Sequence, residues 1–236
     1  MEVIPVACEP ARRFDGVASE SVPNINRPFV LYVANAARHK GAELAIRGYA
    51  ALKKSLGSEA PLFVQCGYLS QAFAPSCSPQ PGWQDPHCVA MRALVQSLDL
   101  QEGTDVLFLG EVKLGQLKHL LENAAVVVNA AKFDNGSYCI IEGHYFGRPV
   151  VSSRYPAAVE LYERFQIPVR YYSMDDPLAF AEAIAAALQE PPVTGDDLKK
   201  IRHQLSAPEL GYRRYAEQFY GMLASMAKEQ SLKKSA

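Results

Sequence analysis

The sequence lacks the cysteine pairs that a disulfide framework or a zinc site would need. It contains five cysteines and five histidines, and neither C-x-x-C nor H-E-x-x-H spacing occurs among them. An odd number of cysteines without paired spacing argues against a disulfide-stapled fold and supplies no set of metal ligands. We therefore predict no metal site from these residues, and we expect Cys66 and Cys139, which lie in apolar runs, to be buried in the core.

Long apolar runs and an excess of charge of one sign are also missing. No run approaches the ~20 apolar residues that cross a bilayer, and the opening MEVIPVACEPARRFD has neither the basic start nor the apolar centre of a signal peptide. The formal net charge is −1, with scattered Lys and Arg, which argues against nucleic acid as a partner. These absences predict a cytoplasmic chain without a transmembrane segment, either free or held peripherally at the inner face of the membrane.

What the sequence does contain is an alternation of short apolar runs and helical patterns. Such runs, FVLYVAN at 29–35 among them, are typical of strands that are covered on both faces. Parallel neighbours need crossover helices, so the alternation predicts an α/β fold with a doubly wound, Rossmann-like, mostly parallel sheet of about six strands. The predicted strands are 29–35, 61–67, 104–110, 124–130, 148–153 and 167–173.

The chain is long enough for one full-sized domain with a substantial core. We expect the Rossmann-like domain to occupy 27–190, with a linker-like segment at 1–26, C-terminal helices at 191–228 that pack on the domain, and a flexible tail at 229–236. Residues 68–87 hold four prolines and are predicted to be a surface insertion.

The stretch DNGSYCIIEGHYFG, 134–147, is predicted to be a turn from a strand into a helix. Asn135 and Gly136 give the backbone freedom, Ser137 caps the helix, and the free N–H groups at the helix start suit a phosphate. Glu142, one turn inside, would then reach neutral hydroxyls such as those of a ribose, whereas Asp134 would face the part of the ligand beyond the phosphates.

Lys40 follows the first predicted strand and should lie at the same edge of the sheet, because ligands of open α/β sheets bind beyond the carboxyl ends of the strands. Each feature also has a plain structural explanation: Asn-Gly turns are common, Glu142 could be exposed helix, and Lys40 could be a solvated lysine. Their convergence on one edge favours a ligand site.

The stretch KFDNGSYCIIEGHYFGRPVVSS, 132–153, resembles the signature of retaining GT-B glycosyltransferases, which include bacterial mannosyl- and glucosyltransferases of surface polysaccharide synthesis. In that signature an acid is followed eight residues later by Glu and then by a G-x-P-V-V-S-S strand. Asp134 takes the first acidic position, where Glu is usual, and Glu142 takes the second. Further segments, from about Phe29 to Leu188, are similar to the C-terminal domain of the family and follow in the same order. They are the first strand and phosphate loop with Lys40 at 30–52, the base-binding strand and helix at 106–131, and the late helix at 173–188.

The resemblance implies half of a GT-B fold that binds a nucleoside-diphosphate sugar as its donor substrate, without another cofactor. Lys40 and the helix start would hold the diphosphate, Glu142 the ribose, Asp134 with Asn135 the sugar, and backbone near Glu111 the base. Lys40, Asp134 and Glu142 are the candidate catalytic residues, and none is proposed as a nucleophile. The full set of candidate binding residues is Asn35, Arg38, His39, Lys40, Glu111, Val112, Asp134, Asn135, Gly136, Ser137, Tyr138 and Glu142.

The implied reaction is retaining transfer of a hexosyl group to the hydroxyl of a glycan or lipid-linked acceptor, in mannosyltransferase-like polysaccharide or glycan synthesis. The family often has Arg five residues before the lysine; Asn35 stands there, so Arg38 or His39 would supply the charge. The N-terminal Rossmann domain of the family has no counterpart before Arg27, which indicates a fragment or one subunit of a split enzyme.

Two other functions fit a Rossmann-like fold. One is a non-catalytic nucleotide-sugar or nucleotide binding module, or a subunit that needs a separate N-terminal domain. The other is an NAD-dependent oxidoreductase, and the lack of G-x-G-x-x-G after FVLYVAN argues against it.

Overall fold

Six parallel strands form one sheet in the computed structural model, which describes residues 7–78, 84–134 and 138–234. The strand order is β3-β2-β1-β4-β5-β6, and each neighbouring pair is parallel. This confirms the predicted doubly wound α/β fold. The strands are β1 Phe29–Val33, β2 Leu62–Cys66, β3 Val106–Gly110, β4 Val126–Asn129, β5 Val150–Ser153 and β6 Arg170–Tyr172.

Helices cover both faces of this sheet. They are α1 Pro10–Phe14, α2 Ala42–Leu56, α3 Pro86–Ser97, α4 Leu114–Asn123, α5 Tyr138–Tyr145, α6 Pro156–Arg164, α7 Pro177–Ala187, α8 Gly195–Leu205 and α9 Tyr212–Lys234. One core cluster packs α2, α3 and α7 on one face, and a second packs α1, α4, α5, α6 and Leu205 of α8 on the other. None of these described helices is both long and apolar enough to span a bilayer.

The central strand β1 explains why the sequence shows an unbroken apolar run rather than an alternating one. Side chains on a strand point to opposite faces in turn, and here both faces are covered. Val30 and Tyr32 belong to the first core cluster, whereas Phe29 and Leu31 belong to the second. Cys66 and Cys139 are also buried, as predicted.

Three segments differ from the prediction. The expected insertion at 68–87 contributes to the core, because a 3-10 turn at Ser70–Phe73 buries the Phe73 ring completely, and α3 already begins at Pro86. Helix α6 was not predicted; it is only nine residues long and starts on a proline. Helix α9 continues to Lys234, through most of the segment at 229–236 that was expected to be a flexible tail.

The N-terminal segment, expected to be a linker, packs on the second face of the sheet from residue 7 onward. Phe14 of α1 is buried and stands edge-on to Phe146, with 5.2 Å between ring centroids. Lys118 of α4 donates a hydrogen bond of 2.8 Å to the carbonyl oxygen of Val17. These contacts hold the segment across α4 and the end of α5.

Candidate functional site

The loops that follow β1 and β4 meet at the carboxyl edge of the sheet because these two strands are neighbours. Gly41 lies against the backbone of the second loop with φ +79°, and a Cβ atom there would be 1.9 Å from the carbonyl oxygen of Ala130. Only glycine fits such an approach. The amide of Lys132 also donates a hydrogen bond of 2.8 Å to the carbonyl oxygen of His39. We call this joined pair of loops the loop bridge.

Lys40 and Asp134, the two predicted site residues on these loops, form an ion pair with 2.5 Å between Nζ and Oδ2. The pair is partly buried, with 22% of the Lys40 side chain and 11% of the Asp134 side chain exposed. The hydroxyl of Tyr32, in β1, donates a hydrogen bond to the carbonyl oxygen of Lys40. This bond fixes the backbone of Lys40 against the strand. Asp134 stands four residues before α5; Asn135, Gly136 and Ser137 lie outside the described residues.

A buried polar network supports the loop after β4. The side-chain amide of Asn129 donates to Ser152 at 3.0 Å, and its carbonyl oxygen accepts from the amide of Ala131 at 3.1 Å. The Ser153 hydroxyl donates to the carbonyl oxygen of Ala131 at 2.5 Å, and that of Tyr172 to the carbonyl oxygen of Asn129 at 2.9 Å. Sequence reasoning did not assign this role, although polar residues that end the apolar strands β4 and β5 were a usable signal.

Glu142 lies within α5 and is covered by the N-terminal segment. Only 3% of its side chain is exposed, and its carboxylate accepts a hydrogen bond from the guanidinium of Arg13, which is itself 47% exposed. Burial raises the pKa of the Glu142 carboxyl, and the Arg13 charge counteracts part of that effect. The hydroxyl of Tyr145 donates to Asp15 at 2.9 Å in the same interface. A ribose at this position would have to share the Glu142 carboxylate with Arg13.

The remaining predicted residues lie along the same edge. Asn35 is exposed, and its Oδ1 accepts a hydrogen bond of 3.1 Å from the amide of Ala37, so it stabilises the turn after β1. Glu111 and Val112 directly follow β3, two strands away from β1. Tyr138 opens α5 half-buried, and burial raises the pKa of its hydroxyl to about 12.

Arg38 and His39 line a cleft of about 620 Å³ that adjoins the loop bridge on the side of α2, α3 and α7. We call it the α2/α7 cleft. His39 stacks on Phe133 with 5.3 Å between ring centroids. Further lining residues are Gly41, Glu43, Leu44, Arg47, His87, Lys132, Asp175 and Pro177.

Within the described ranges, no group of three or more His, Cys, Asp or Glu side chains is placed to hold a metal ion. The arrangement of Lys40 and Asp134 instead offers one cation and one carboxylate at the edge of a parallel sheet. Such a pair can bind an anionic group beside a hydroxyl-bearing one.

The comparisons with known proteins bear on the family and the fold of the chain. The family model for glycosyl transferases group 1 matches residues 18–206. The structure is similar to that of sucrose-phosphate synthase from Thermosynechococcus elongatus, with a TM-score of 0.63 and 21% identity, covering 95% of this chain and 50% of that one. It is also similar to a UDP-forming alpha,alpha-trehalose-phosphate synthase from Burkholderia xenovorans, with a TM-score of 0.69 and 15% identity, covering 95% of this chain and 52% of that one. Comparison with curated proteins gives no match.

At these identities the structural likeness establishes the fold alone, and the chain spans about half the length of the structures that it matches. The family model is more specific, because it matches most of the chain from the N-terminal segment to α8. The chain therefore belongs to the glycosyl transferases group 1 family, and its fold is one Rossmann-like half of the GT-B architecture.

Proposed function

We propose that this chain is the donor-binding part of a retaining glycosyltransferase and that it binds a nucleoside-diphosphate sugar at the loop bridge. The observation that carries the proposal is the ion pair of Lys40 and Asp134, 2.5 Å long, at the carboxyl edge of two central strands. Membership of the family supports glycosyl transfer. The donor, the hexosyl group and a role in polysaccharide or glycan synthesis belong to the proposal.

Lys40 would stabilise the leaving group of the reaction. When the bond between the anomeric carbon and the diphosphate oxygen breaks, negative charge grows on that oxygen, and a fixed ammonium group close to it lowers the barrier. The anomeric carbon forms its new bond to the acceptor oxygen, and the nucleoside diphosphate and a proton are released. Asp134 orients Lys40 before the donor binds and can accept a hydrogen bond from a sugar hydroxyl afterwards.

The other end of the donor would extend along the sheet edge. Glu142 would contact the ribose with Arg13 beside it, and backbone groups near Glu111 and Val112 would contact the base. Tyr138 and the residues before it would complete the diphosphate site at the start of α5.

A second candidate function is a non-catalytic nucleotide-sugar binding module, or a subunit that needs a separate N-terminal domain to catalyse transfer to a glycan or lipid-linked acceptor. The chain spans 50% and 52% of the length of two matched structures, so the activity of a whole enzyme stays part of the proposal. A cytoplasmic location, with or without peripheral attachment to the membrane, stays a prediction from the sequence.

Calorimetric titration with UDP, GDP and ADP, followed by the corresponding nucleotide sugars, tests the proposal. We expect one nucleotide to bind with a stoichiometry of one and its sugar conjugate to bind more tightly. If none of the three nucleotides binds, the proposal is wrong. If nucleotide sugars bind but no transfer occurs after a matching N-terminal domain is added, the chain is a binding module.

The variant Asp134→Asn is expected to bind the free nucleoside diphosphate about tenfold more tightly, a change of ~1.4 kcal/mol. The carboxylate repels the diphosphate and competes for Lys40, whereas the neutral amide does not repel the diphosphate and holds Lys40 more weakly. The additional affinity that the sugar confers should fall, because the amide replaces one acceptor. Titration of the nucleotide and the nucleotide sugar measures both effects.

The matched control is Asp196→Asn, which removes an exposed carboxylate that also pairs with a lysine, Lys199, at 2.8 Å. It should leave both affinities unchanged. Unchanged or weaker nucleotide binding by Asp134→Asn would contradict the assignment of this pair to the diphosphate.

A further inference from the structure

The α2/α7 cleft is lined by basic side chains from several different elements. Arg38 and His39 come from the loop after β1, Arg47 from α2, His87 from α3 and Lys132 from the loop after β4. Two acids, Glu43 and Asp175, share the cleft and pair with two of the cations, Arg47 at 3.0 Å and Lys132 at 3.5 Å.

Arg38 is different from these two cations. It is exposed, and within residues 7–78, 84–134 and 138–234 its guanidinium forms no ion pair or hydrogen bond; its backbone carbonyl oxygen accepts from the amide of Gly41. The charges of the two acids are balanced by those of Arg47 and Lys132. The positive charge of Arg38 is therefore not balanced by either acid of the cleft. The cleft is therefore net positive around this side chain.

His87 lies close enough to Arg38 to feel its charge. Burial lowers the pKa of the His87 imidazole, Arg38 lowers it further, and Asp85 and Glu43 act in the opposite direction. The ring stands edge-on to Phe73, and its Nε2 is a buried atom without a hydrogen-bond partner in the described part of the chain. Arg38 and His87 therefore both line the cleft, close enough for the charge of Arg38 to act on the imidazole.

The size and walls of the cleft indicate an organic ligand rather than a bare ion. Its volume of about 620 Å³ lies in the range of small-molecule sites, roughly 300 to 1,000 Å³. Phe133 is 67% exposed and stacks on His39, which leaves an aromatic face available to a ring. The first amides of α7 are already occupied by Asp176, which accepts from Leu178 and Ala179, so side chains would hold the anion.

We propose that the α2/α7 cleft is a second anion site, which binds a phosphorylated sugar-sized molecule with its phosphate at Arg38 and its body against the His39 and Phe133 stack. A guanidinium group matches the oxygen geometry of a phosphate. The site is separate from the loop-bridge ion pair of Lys40 and Asp134, and it goes beyond the donor site because its ligand carries no nucleoside.

Titration with ribose 5-phosphate, with ribose as the uncharged control, tests this proposal. We expect saturable binding of ribose 5-phosphate alone, observed by calorimetry and by NMR of the histidine side chains. Because the phosphate adds a negative charge near the imidazole, the pKa of His87 should rise. Loss of one imidazole signal in His87→Gln assigns the resonance.

Arg38→Gln should weaken ribose 5-phosphate binding at least about tenfold, the effect of removing one charge-assisted contact. Lys54→Gln is the matched control, because it removes one exposed positive charge from α2 outside the cleft; its binding should equal that of the unmodified chain. Equal binding by Arg38→Gln, or no saturable binding by the unmodified chain, would overturn the proposal.

Competition separates this site from the donor site. Ribose 5-phosphate should bind with the same affinity when a nucleoside diphosphate is present and when Lys40 is replaced by alanine. If the nucleotide displaces it, or if Arg38→Gln also weakens nucleotide binding, Arg38 belongs to the donor site and the second site is wrong. Failure of all nucleotides to bind would instead overturn the proposed function and leave this result standing.

Discussion

Lys40→Ala is expected to weaken nucleoside-diphosphate binding about 100-fold, which corresponds to ~2.7 kcal/mol. A hydrogen bond to a charged group contributes roughly 1.5 to 3 kcal/mol, and the variant also leaves the Asp134 carboxylate without its Lys40 partner beside the phosphates. Both effects act in the same direction. Calorimetric titration at one fixed ionic strength measures the change, because salt screens the attraction.

Two further variants show whether this loss comes from the site. Lys199→Ala removes an exposed lysine that pairs with an aspartate at 2.8 Å, and it should not change the affinity. The double variant Lys40→Ala/Asp134→Asn should recover part of the loss, because the repelling carboxylate is removed as well. If Lys40→Ala binds the nucleotide with full affinity and circular dichroism shows an intact fold, the assignment of Lys40 to the diphosphate site is wrong.

Arg13→Ala is expected to lower the free energy of unfolding by about 3 kcal/mol. Removing one partner of a buried ion pair costs roughly 3 to 5 kcal/mol, because the other charge stays buried without compensation. Glu142 is that charge, with 3% of its side chain exposed; Arg13 is 47% exposed, which places the effect at the lower end. Urea unfolding followed by circular dichroism measures the difference.

The loss of stability in Arg13→Ala should be larger at neutral pH than at low pH. Burial raises the pKa of Glu142 above the ordinary value of 4.5, and Arg13 opposes this, so the pKa should rise further in Arg13→Ala. A carboxyl whose pKa is raised by folding favours the folded state at low pH and loses that contribution as the pH rises through its folded-state pKa. The variant should therefore differ most from the unmodified chain at neutral pH and least below pH ~5.

Arg12→Ala is the control for this stability prediction. Arg12 is the preceding residue of the same short helix and pairs with Glu9 at 3.5 Å on the surface, where an ion pair is worth at most ~1 kcal/mol. Arg13→Ala/Glu142→Gln should recover part of the lost stability. An equal loss at low and neutral pH in Arg13→Ala would mean that packing, and not the charge of Glu142, was lost.

The strands were predictable because parallel strands covered on both faces need continuous apolar residues. Phe29–Val33 and Val126–Asn129 each lie within the predicted runs. Lys40 and Asp134 could be nominated from the sequence because both follow predicted strands, beyond whose carboxyl ends ligands of open α/β sheets bind, and because both match positions of the family signature.

Contacts between residues that lie far apart along the chain could not be predicted from the sequence. Arg13 meets Glu142 across 129 positions, and the five-residue α1 is too short to show a helical period. Phe73 lies in a segment whose prolines indicate a loop, yet its ring is fully buried. The bonds of Asn129 depend on strand register, which a single sequence does not specify.

The position of β1 in the strand order has a consequence for synthesis on the ribosome. β2 can pair with one side of β1 early, but β4, which covers the other side, begins about 60 residues after β2 ends. At roughly 5 to 20 residues per second, the nascent chain presents an unpaired apolar edge for roughly 3 to 12 s. An edge of this kind can join another chain, so chaperones that cover the nascent chain should raise the yield of this protein.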